Sequence, residues 1–200
     1  MLNSSFGINS EIMKKIIFFD GDGTLWYPRR TRYNEKPWWI YKSREVQRDP
    51  RKHLILTPGV SQTLKILSGR GIVLAVLSTR PSLQTTNHQI GPEAYVRRLK
   101  GFARYFHIDR YIDEFRACDP VKGDSDRKDV QILSVLREKG IPKSKALMVG
   151  DSYDHDYLPA RKAGIDCILI NSFSHTKNDR RYRRLRRKIP DLSGIFRYLD

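Results

Sequence analysis

Residues 14–26, KKIIFFDGDGTLW, contain the pattern that decides the fold. The run 16–19 is short and apolar without alternation, which is typical of a β-strand buried on both faces. Asp20 and Asp22 follow it directly, separated by Gly21. Ligands of open α/β sheets bind at the carboxyl edge, where such strands end. Two carboxylates this close repel each other unless a cation lies between them, so the pair favours a metal site, although the same residues also occur in acidic turns.

Apolar strands alternate with helical segments along the rest of the chain. Four further strands are predicted, at 72–77, 111–115, 146–149 and 167–170. This alternation predicts a doubly wound, Rossmann-like α/β fold with a five-stranded parallel sheet. We expect one domain over residues 13–200, with Met13 as a candidate start. Residues 27–56 are rich in Arg, Tyr, Trp and Pro and show no clear period, which predicts a small lid inserted after the first strand.

Composition narrows the class of protein. The chain has 200 residues, a net charge of +16 at pH 7 and two cysteines far apart in sequence. This cysteine usage argues against a disulfide framework and favours a reducing compartment, so a cytoplasmic location is expected. Because no stretch approaches 18 consecutive apolar residues, neither a membrane span nor a membrane partner is expected. Oligomeric state cannot be read from the sequence.

The positive charge is concentrated near the end of the chain. Residues 177–188 hold eight basic residues and one acidic residue. This segment belongs to a basic extension, residues 174–200, which is predicted to begin as a helix. Such a charge favours anionic partners, among them nucleic acid and phosphorylated metabolites, but a solvated surface helix explains it equally well.

Polar residues follow three of the predicted strands, at ends that share one edge of the sheet. They are Asp20 and Asp22 after the first strand, Ser78 and Thr79 after the second, and Asp151 after the fourth. Lys128 begins the helix that precedes the fourth strand. Because the carboxyl ends of parallel strands meet at one edge, we expect these side chains to converge on a single crevice. Capping of the following segment is the simpler explanation of the Ser-Thr pair.

Taken together, these motifs resemble the haloacid dehalogenase superfamily of phosphohydrolases, over about residues 14–171. The resemblance rests on Asp-Gly-Asp-Gly-Thr-Leu at 20–25, the Ser or Thr that ends the second strand, an intervening Lys, and Gly-Asp-Ser-x-x-x-Asp at 150–156. The Leu-Trp pair at 25–26 is similar to the magnesium-dependent phosphatase branch of the family.

The third motif departs from the family pattern. Lys128 lies 23 residues before Asp151, a compact spacing that also fits the magnesium-dependent branch. The wider superfamily often has Lys-Pro at this motif, whereas Lys128 is followed by Asp129. Lys122 therefore stays a competing candidate.

The resemblance implies an aspartate-based phosphoryl transfer with Mg²⁺ as the cofactor. Asp20 would be the nucleophile, and the side chain of Asp22 would be the general acid and base. The expected metal ligands are Asp20, Asp151 and the main-chain carbonyl of Asp22. Ser78 and Lys128 would neutralise the oxygens of the transition state.

Further residues have supporting roles in this scheme. Gly21, Thr79 and Arg80 are expected to contact substrate, with Arg80 as a candidate for gripping a second anionic group. Asp156 would hold Lys128 or a metal-bound water, although Asp154 competes for that role. The remaining supporting residues are Gly150 and Ser152.

The sequence thus predicts a Mg²⁺-dependent phosphomonoesterase that acts on a small phosphorylated metabolite. Two alternatives stay open. The substrate could be macromolecular, either a nucleic-acid 3′ phosphate or a phosphoprotein. The chain could instead be a nucleic-acid-binding protein whose basic extension is functional and whose catalytic edge is idle.

Overall fold

The computed structural model describes residues 13–29, 49–80, 91–119, 127–170 and 180–199. Most of the predicted lid and the competing Lys122 lie outside these ranges, as do the first residues of the basic extension.

Within the described ranges, eight strands form two sheets. They are β1 Ile16–Phe19, β2 Trp26–Pro28, β3 Leu54–Leu56, β4 Val73–Thr79, β5 Glu114–Cys118, β6 Ala146–Gly150, β7 Asp166–Ile170 and β8 Lys188–Ile189. The main sheet has the order β5-β4-β1-β6-β7-β8, and every neighbouring pair in it is parallel. The predicted parallel α/β architecture is confirmed, but the sheet has six strands rather than five.

The helix predicted in the basic extension is short, and the sixth strand, which was not predicted, follows it. Only Arg180–Arg183 (α6) is α-helical among the described residues of the extension. Ile189 is buried and pairs with Ile170 at the edge of the sheet. Pro190 follows directly and cannot donate a backbone hydrogen bond, so it suits the end of a short edge strand and not the interior of a helix.

Helices cover both faces of the main sheet. Besides α6 they are α1 Pro50–His53, α2 Val60–Gly69, α3 Pro92–Tyr105, α4 Lys128–Glu138 and α5 Leu158–Ala163. Successive side chains of a strand point to opposite faces. Ile17 and Phe19 accordingly pack with residues of α2 and α3, whereas Ile16 and Phe18 pack with residues of α4 and α5. All four are fully buried, and each contributes about 1.5–3 kcal/mol of apolar burial.

Two predicted strands have shifted boundaries. β4 continues through Ser78 and Thr79, which therefore form the end of the strand and not the loop after it. β5 begins at Glu114, three residues later than predicted, because Asp109–Tyr111 forms a 3₁₀ turn.

The small second sheet closes the base of the predicted lid. β2 and β3 are antiparallel, with Trp26 opposite Leu56 and Pro28 opposite Leu54. The two ends of the 27–56 insertion are therefore paired with each other a few residues after Asp22.

Among the described helices, none combines the length and the apolar character needed to cross a lipid bilayer.

Candidate active site

Three central strands place their polar ends side by side. β1 pairs with β4 and with β6, so Asp20 follows the end of β1 between Leu77 and Gly150, one residue before Ser78 in the register. The amide of Asp20 donates to the carbonyl of Val149 at 2.9 Å. A methyl group at Gly21 would lie 3.3 Å from Ser78 Oγ and 2.9 Å from the Trp26 ring, so this loop lies directly against the end of β4. The predicted convergence on one edge is thus present in the structure.

A buried chain of ion pairs forms the centre of this edge. Lys128 Nζ lies 2.5 Å from Asp20 Oδ1 and 2.6 Å from Asp156 Oδ1. All three residues are less than 10% exposed. Lys128 can reach them because it is the first residue of α4, whose amino end faces the carboxyl edge of the sheet. The competing Lys122 lies outside the described residues.

The carboxylate of Asp156 is held on both of its oxygens. Oδ1 accepts from Lys128, and Oδ2 accepts from the amides of Asp151 and Ser152 at 3.0 and 2.9 Å. Asp156 lies in a single π-helical turn, Tyr153–Tyr157, which turns its side chain back under the end of β6. A methyl group at Gly150 would lie 2.1 Å from Asp156 Cγ, so only glycine fits there.

Asp154, the predicted competitor of Asp156, points elsewhere. Its two oxygens accept from Arg181 at 2.8 and 2.9 Å, and the guanidinium of Arg181 lies over the ring of Tyr153. Asp154 is half exposed in this pair. The contact with Lys128 therefore belongs to Asp156. Ser152 begins the turn, and its hydroxyl accepts from the amide of His155 at 3.2 Å.

Three carboxylates at this edge could hold a metal ion. Asp20, Asp151 and Asp156 each offer an oxygen, and these oxygens lie within 4.8 Å of one another. The backbone of Gly23 approaches Asp151 closely, with a φ of 91°, and a Cβ there would lie 2.4 Å from Asp151 Oδ2. This contact joins the loop after β1 to the end of β6.

Only the main-chain carbonyl of Asp22 is predicted as a metal ligand, and its carboxylate is predicted to transfer protons. Its side chain is not part of the carboxylate cluster, and its Oδ1 accepts from the Trp26 indole Nε1 at 2.8 Å. Trp26 is itself fully buried and packs edge-on against Phe102 of α3. The Asp22 carboxylate is therefore oriented by a rigid aromatic side chain, separately from the three clustered acids.

The end of β4 contributes hydroxyl groups and a cation. Ser78 Oγ lies 3.1 Å from the hydroxyl of Tyr95, within hydrogen-bonding distance, and both side chains are buried. Thr79 is the last residue of the strand. Arg80 follows it and forms an ion pair with Asp119, which follows β5. Arg80 is nearly buried in this pair, whereas Asp119 is exposed.

The clustered acids change the acidity of the central carboxylate. Burial raises the pKa of Asp20 well above its usual range, and Asp156 and Asp151 raise it further, whereas Lys128 opposes them. Three carboxylates against one ammonium group leave an excess of two negative charges in a buried site. A divalent cation would neutralise that excess and favour the ionised form of Asp20.

Sequence reasoning missed three residues that hold the site together. Tyr95 approaches Ser78 from α3, Trp26 binds Asp22, and Gly23 admits Asp151. Gly23 and Trp26 both lie within residues 14–26. The positive φ of Gly23 and an indole donor for Asp22 could therefore have been predicted from that stretch. No sequence signal marks Tyr95, because its contact depends on how α3 packs on the sheet.

Comparison with known proteins agrees with this geometry. A central parallel sheet with clustered aspartates and a lysine at its carboxyl edge defines a class of α/β hydrolytic enzymes. Residues 10–170 match the model of the haloacid dehalogenase-like hydrolase family. The chain belongs to this family, and the predicted enzyme class is confirmed.

The curated relatives are distant. A phosphoglycolate phosphatase of Pseudomonas fluorescens is 28% identical over 122 residues, which is 60% of this chain and 39% of that protein. A phosphoglycolate phosphatase of Pseudomonas savastanoi is 27% identical over 117 residues, which is 58% of this chain and 37% of that protein. The matched region therefore spans about two fifths of these relatives.

Solved structures share the fold. A phosphatase of the same family from Thermococcus onnurineus superposes with a TM-score of 0.62 at 18% identity, over 92% of this chain and 96% of the other. A haloacid dehalogenase-like hydrolase from Streptococcus pneumoniae gives a TM-score of 0.63 at 16% identity, over 94% of this chain and 99% of the other.

Proposed function

We propose that the chain is a Mg²⁺-dependent phosphomonoesterase that uses Asp20 as its nucleophile and acts on a small phosphorylated metabolite. The observation that carries the proposal is the buried Asp20–Lys128–Asp156 chain of ion pairs beside Asp151. Burying four charged groups costs several kcal/mol per ion unless they are paired. An apolar core would avoid that cost. Clustered buried charges are instead typical of a functional site, here one for an anionic phosphoryl group and a divalent cation.

The donor set fits Mg²⁺. Asp20 and Asp151 would be the carboxylate ligands, since both oxygens of Asp156 already accept hydrogen bonds from Lys128 and backbone amides. Oxygen donors of this type suit a hard cation that keeps part of its hydration shell. When bound, Mg²⁺ would supply positive charge that offsets the excess of carboxylates and lets an anionic substrate approach.

Asp20 is the proposed nucleophile that attacks phosphorus. It lies at the centre of the edge between β4 and β6, and its attack would form an aspartyl-phosphate that water then hydrolyses. Lys128 supports the ionised carboxylate before attack. Lys128 and the hydroxyl of Ser78 then donate to the oxygens of the transferring group, which carry the developing charge.

Asp22 is the residue assigned to proton transfer. It would protonate the leaving oxygen and later accept a proton from the attacking water. The hydrogen bond from Trp26 to one of its oxygens orients the carboxylate. Asp22 lies outside the carboxylate cluster and is only partly buried, which suits a group that must exchange protons with the leaving group and with water.

The substrate is inferred from the edge of the site and from the names of relatives. Arg80 lies just beyond Ser78 and Thr79, where it could bind a second anionic group if its pair with Asp119 opened. The named relatives are phosphoglycolate phosphatases, whose substrate carries both a phosphate and a carboxylate. Small phosphorylated acids are therefore the first substrates to test.

A macromolecular substrate and an idle catalytic edge receive less support. Part of the basic extension serves the fold itself, because Arg181 binds Asp154 and β8 completes the main sheet. If the catalytic edge were idle, the buried charges of the site would lower stability without serving any activity.

Hydrolysis of p-nitrophenyl phosphate tests the proposal. The purified chain should turn over this substrate with Mg²⁺ and lose activity with a chelator. Asp20→Asn should abolish turnover, whereas Asp109→Asn, in the 3₁₀ turn before β5, should not. Activity that survives Asp20→Asn, or that is unaffected by chelation, would overturn the assignment. A panel of small phosphorylated acids, phosphoglycolate included, then addresses the substrate.

A further inference from the structure

A second charged cleft lies at the amino edge of the main sheet, opposite the candidate active site. We call it the rear cleft. Its volume is about 600 Å³, and it is bordered by the segments that lead into β1, β6 and β7. Lys14 precedes β1 and Asp20 follows it, so the cleft and the nucleophile are at opposite ends of the same strand.

Cations dominate the lining of the rear cleft. Among the described residues that line it, Asp166 is the single carboxylate, and five side chains are basic: Lys14, Lys143, Arg161, Arg187 and Arg197. The formal excess is therefore four positive charges. Like charges gathered in one concavity repel each other, and low-dielectric walls focus their field on whatever enters.

Asp166 accounts for two of the five cations. Its two oxygens pair with Lys14 Nζ at 2.9 Å and with Arg187 Nη1 at 2.8 Å. Lys14 is only 6% exposed and also donates to the carbonyl of Ser144 at 2.8 Å. One ammonium group is thus fixed in the wall of the cleft by two oxygen acceptors, which gives the site a rigid base.

The other three cations have no such partner. The side chains of Lys143, Arg161 and Arg197 are exposed and form no ion pair within the part of the chain that the structure describes. Lys143 lies across Gly164, where a Cβ would approach its Nζ at 3.6 Å. These three side chains come from three separate segments and meet only at the cleft.

We propose that the rear cleft binds a small molecule carrying two or more linked phosphate groups. The volume falls in the range of small-molecule sites, and guanidinium and ammonium groups are the donors that phosphate prefers. A single phosphate would leave much of the positive excess uncompensated. The cations surround one cavity instead of forming a stripe along a groove, which favours a compact ligand over a nucleic-acid strand.

Calorimetric titration with inorganic tripolyphosphate tests this proposal without using turnover. The full chain is titrated in chelator and about 0.15 M salt, a condition that screens non-specific attraction. We expect one binding event, weakened about tenfold or more in the double variant Arg161→Gln/Arg197→Gln. Neither substitution strands a buried charge, so the variant should melt like the wild type.

Two controls locate the binding event. The matched variant Lys65→Gln/Lys100→Gln removes the same charge from exposed positions on α2 and α3 and should bind normally. Asp20→Asn should also bind normally, because its change lies at the other edge. Absence of binding by the wild type, equal weakening by the matched variant, or binding that depends on Asp20 and not on the arginines would overturn the proposal. A preference for oligonucleotide over tripolyphosphate would overturn it in favour of a nucleic-acid surface.

Discussion

The two edges of the main sheet carry opposite charges in opposite environments. At the carboxyl edge, Lys128 and its aspartates are nearly inaccessible to water and carry a negative excess. At the amino edge, most cations of the rear cleft are exposed and surround one half-exposed carboxylate. The same strands support both sets of charges. The difference shows that burial decides what each charge is worth: buried charges depend on their partners, whereas exposed ones can be removed at little cost.

The largest effect is expected at Lys128. Lys128→Met would leave two buried carboxylates without their shared cation, so we expect a loss of about 3–5 kcal/mol in the free energy of unfolding. Turnover should fall about 10²- to 10³-fold even where the variant is folded. Denaturant unfolding and phosphatase assays measure the two effects. Lys65→Met, on the exposed face of α2, is the control, and equal stability of the two variants would contradict the role of burial.

Gly150 gives the next largest effect and tests packing instead of charge. A methyl group there would lie 2.1 Å from Asp156 Cγ, so Gly150→Ala should displace Asp156 and cost about 2–3 kcal/mol. Gly101→Ala is its matched control, since a Cβ at Gly101 meets nothing within 4 Å and lies inside α3. That change should stabilise the protein by about 0.5–1 kcal/mol. Thermal melts that rank the two variants in the reverse order would contradict the described contact.

Tyr95→Phe probes an uncharged contact at the same edge. It removes the hydroxyl that contacts Ser78 and preserves the buried ring, so we expect a loss of about 1 kcal/mol in stability. If Ser78 serves the transition state, kcat/KM should fall about threefold to tenfold while the melting temperature changes by only a few degrees. Tyr105→Phe, at a residue that is 44% exposed, is the control. Unchanged kcat/KM in Tyr95→Phe would show that Tyr95 does not position Ser78 for catalysis.

The smallest effect is expected at Asp166, in the rear cleft. Burial raises the pKa of this carboxyl, but hydrogen bonds from Lys14 and Arg187 outweigh it and the net direction is downward. A carboxyl with a lowered pKa stabilises the fold above its ordinary pKa, and this contribution is lost as the pH falls through the folded-state value. The amide oxygen of Asp166→Asn can still accept from the nearly buried Lys14, so the substitution should cost only about 1 kcal/mol at pH 7. The difference in free energy of unfolding between the wild type and Asp166→Asn should shrink as the pH falls. A difference that grows in acid would contradict the lowered pKa of Asp166.

Much of the carboxyl edge was predictable because its residues are encoded locally. An apolar run followed by acidic or hydroxyl residues is visible in sequence for β1, β4 and β6, and parallel pairing then brings their ends together. The contact of Lys128 with Asp20 follows from the same logic, since a helix that precedes β6 must begin at this edge. The roles of these residues in catalysis stay predictions.

The remaining features depend on contacts that no local pattern records. The arginine-rich segment before β8 has a composition that predicts a helix, yet Ile189 pairs with Ile170 at the edge of the sheet. Tyr95 reaches Ser78 only because α3 packs on the sheet at a particular angle. The rear cleft is assembled from residues of several separate segments, so its charge was visible in the composition but its location was not.

The position of β1 also has a consequence for the order of folding. Ile16 pairs with Val73 on one side and with Ala146 on the other, so the strand at the centre of the sheet precedes both of its neighbours in the chain. During synthesis, the four bulky apolar residues of β1 therefore stay unpaired until β4 and β6 have been synthesised. Non-local pairing of this kind slows folding and exposes strand edges that aggregate. A chaperone that acts during translation should therefore raise the yield of folded protein. Slower cooling of the purified chain after heating should raise the yield of refolded protein less.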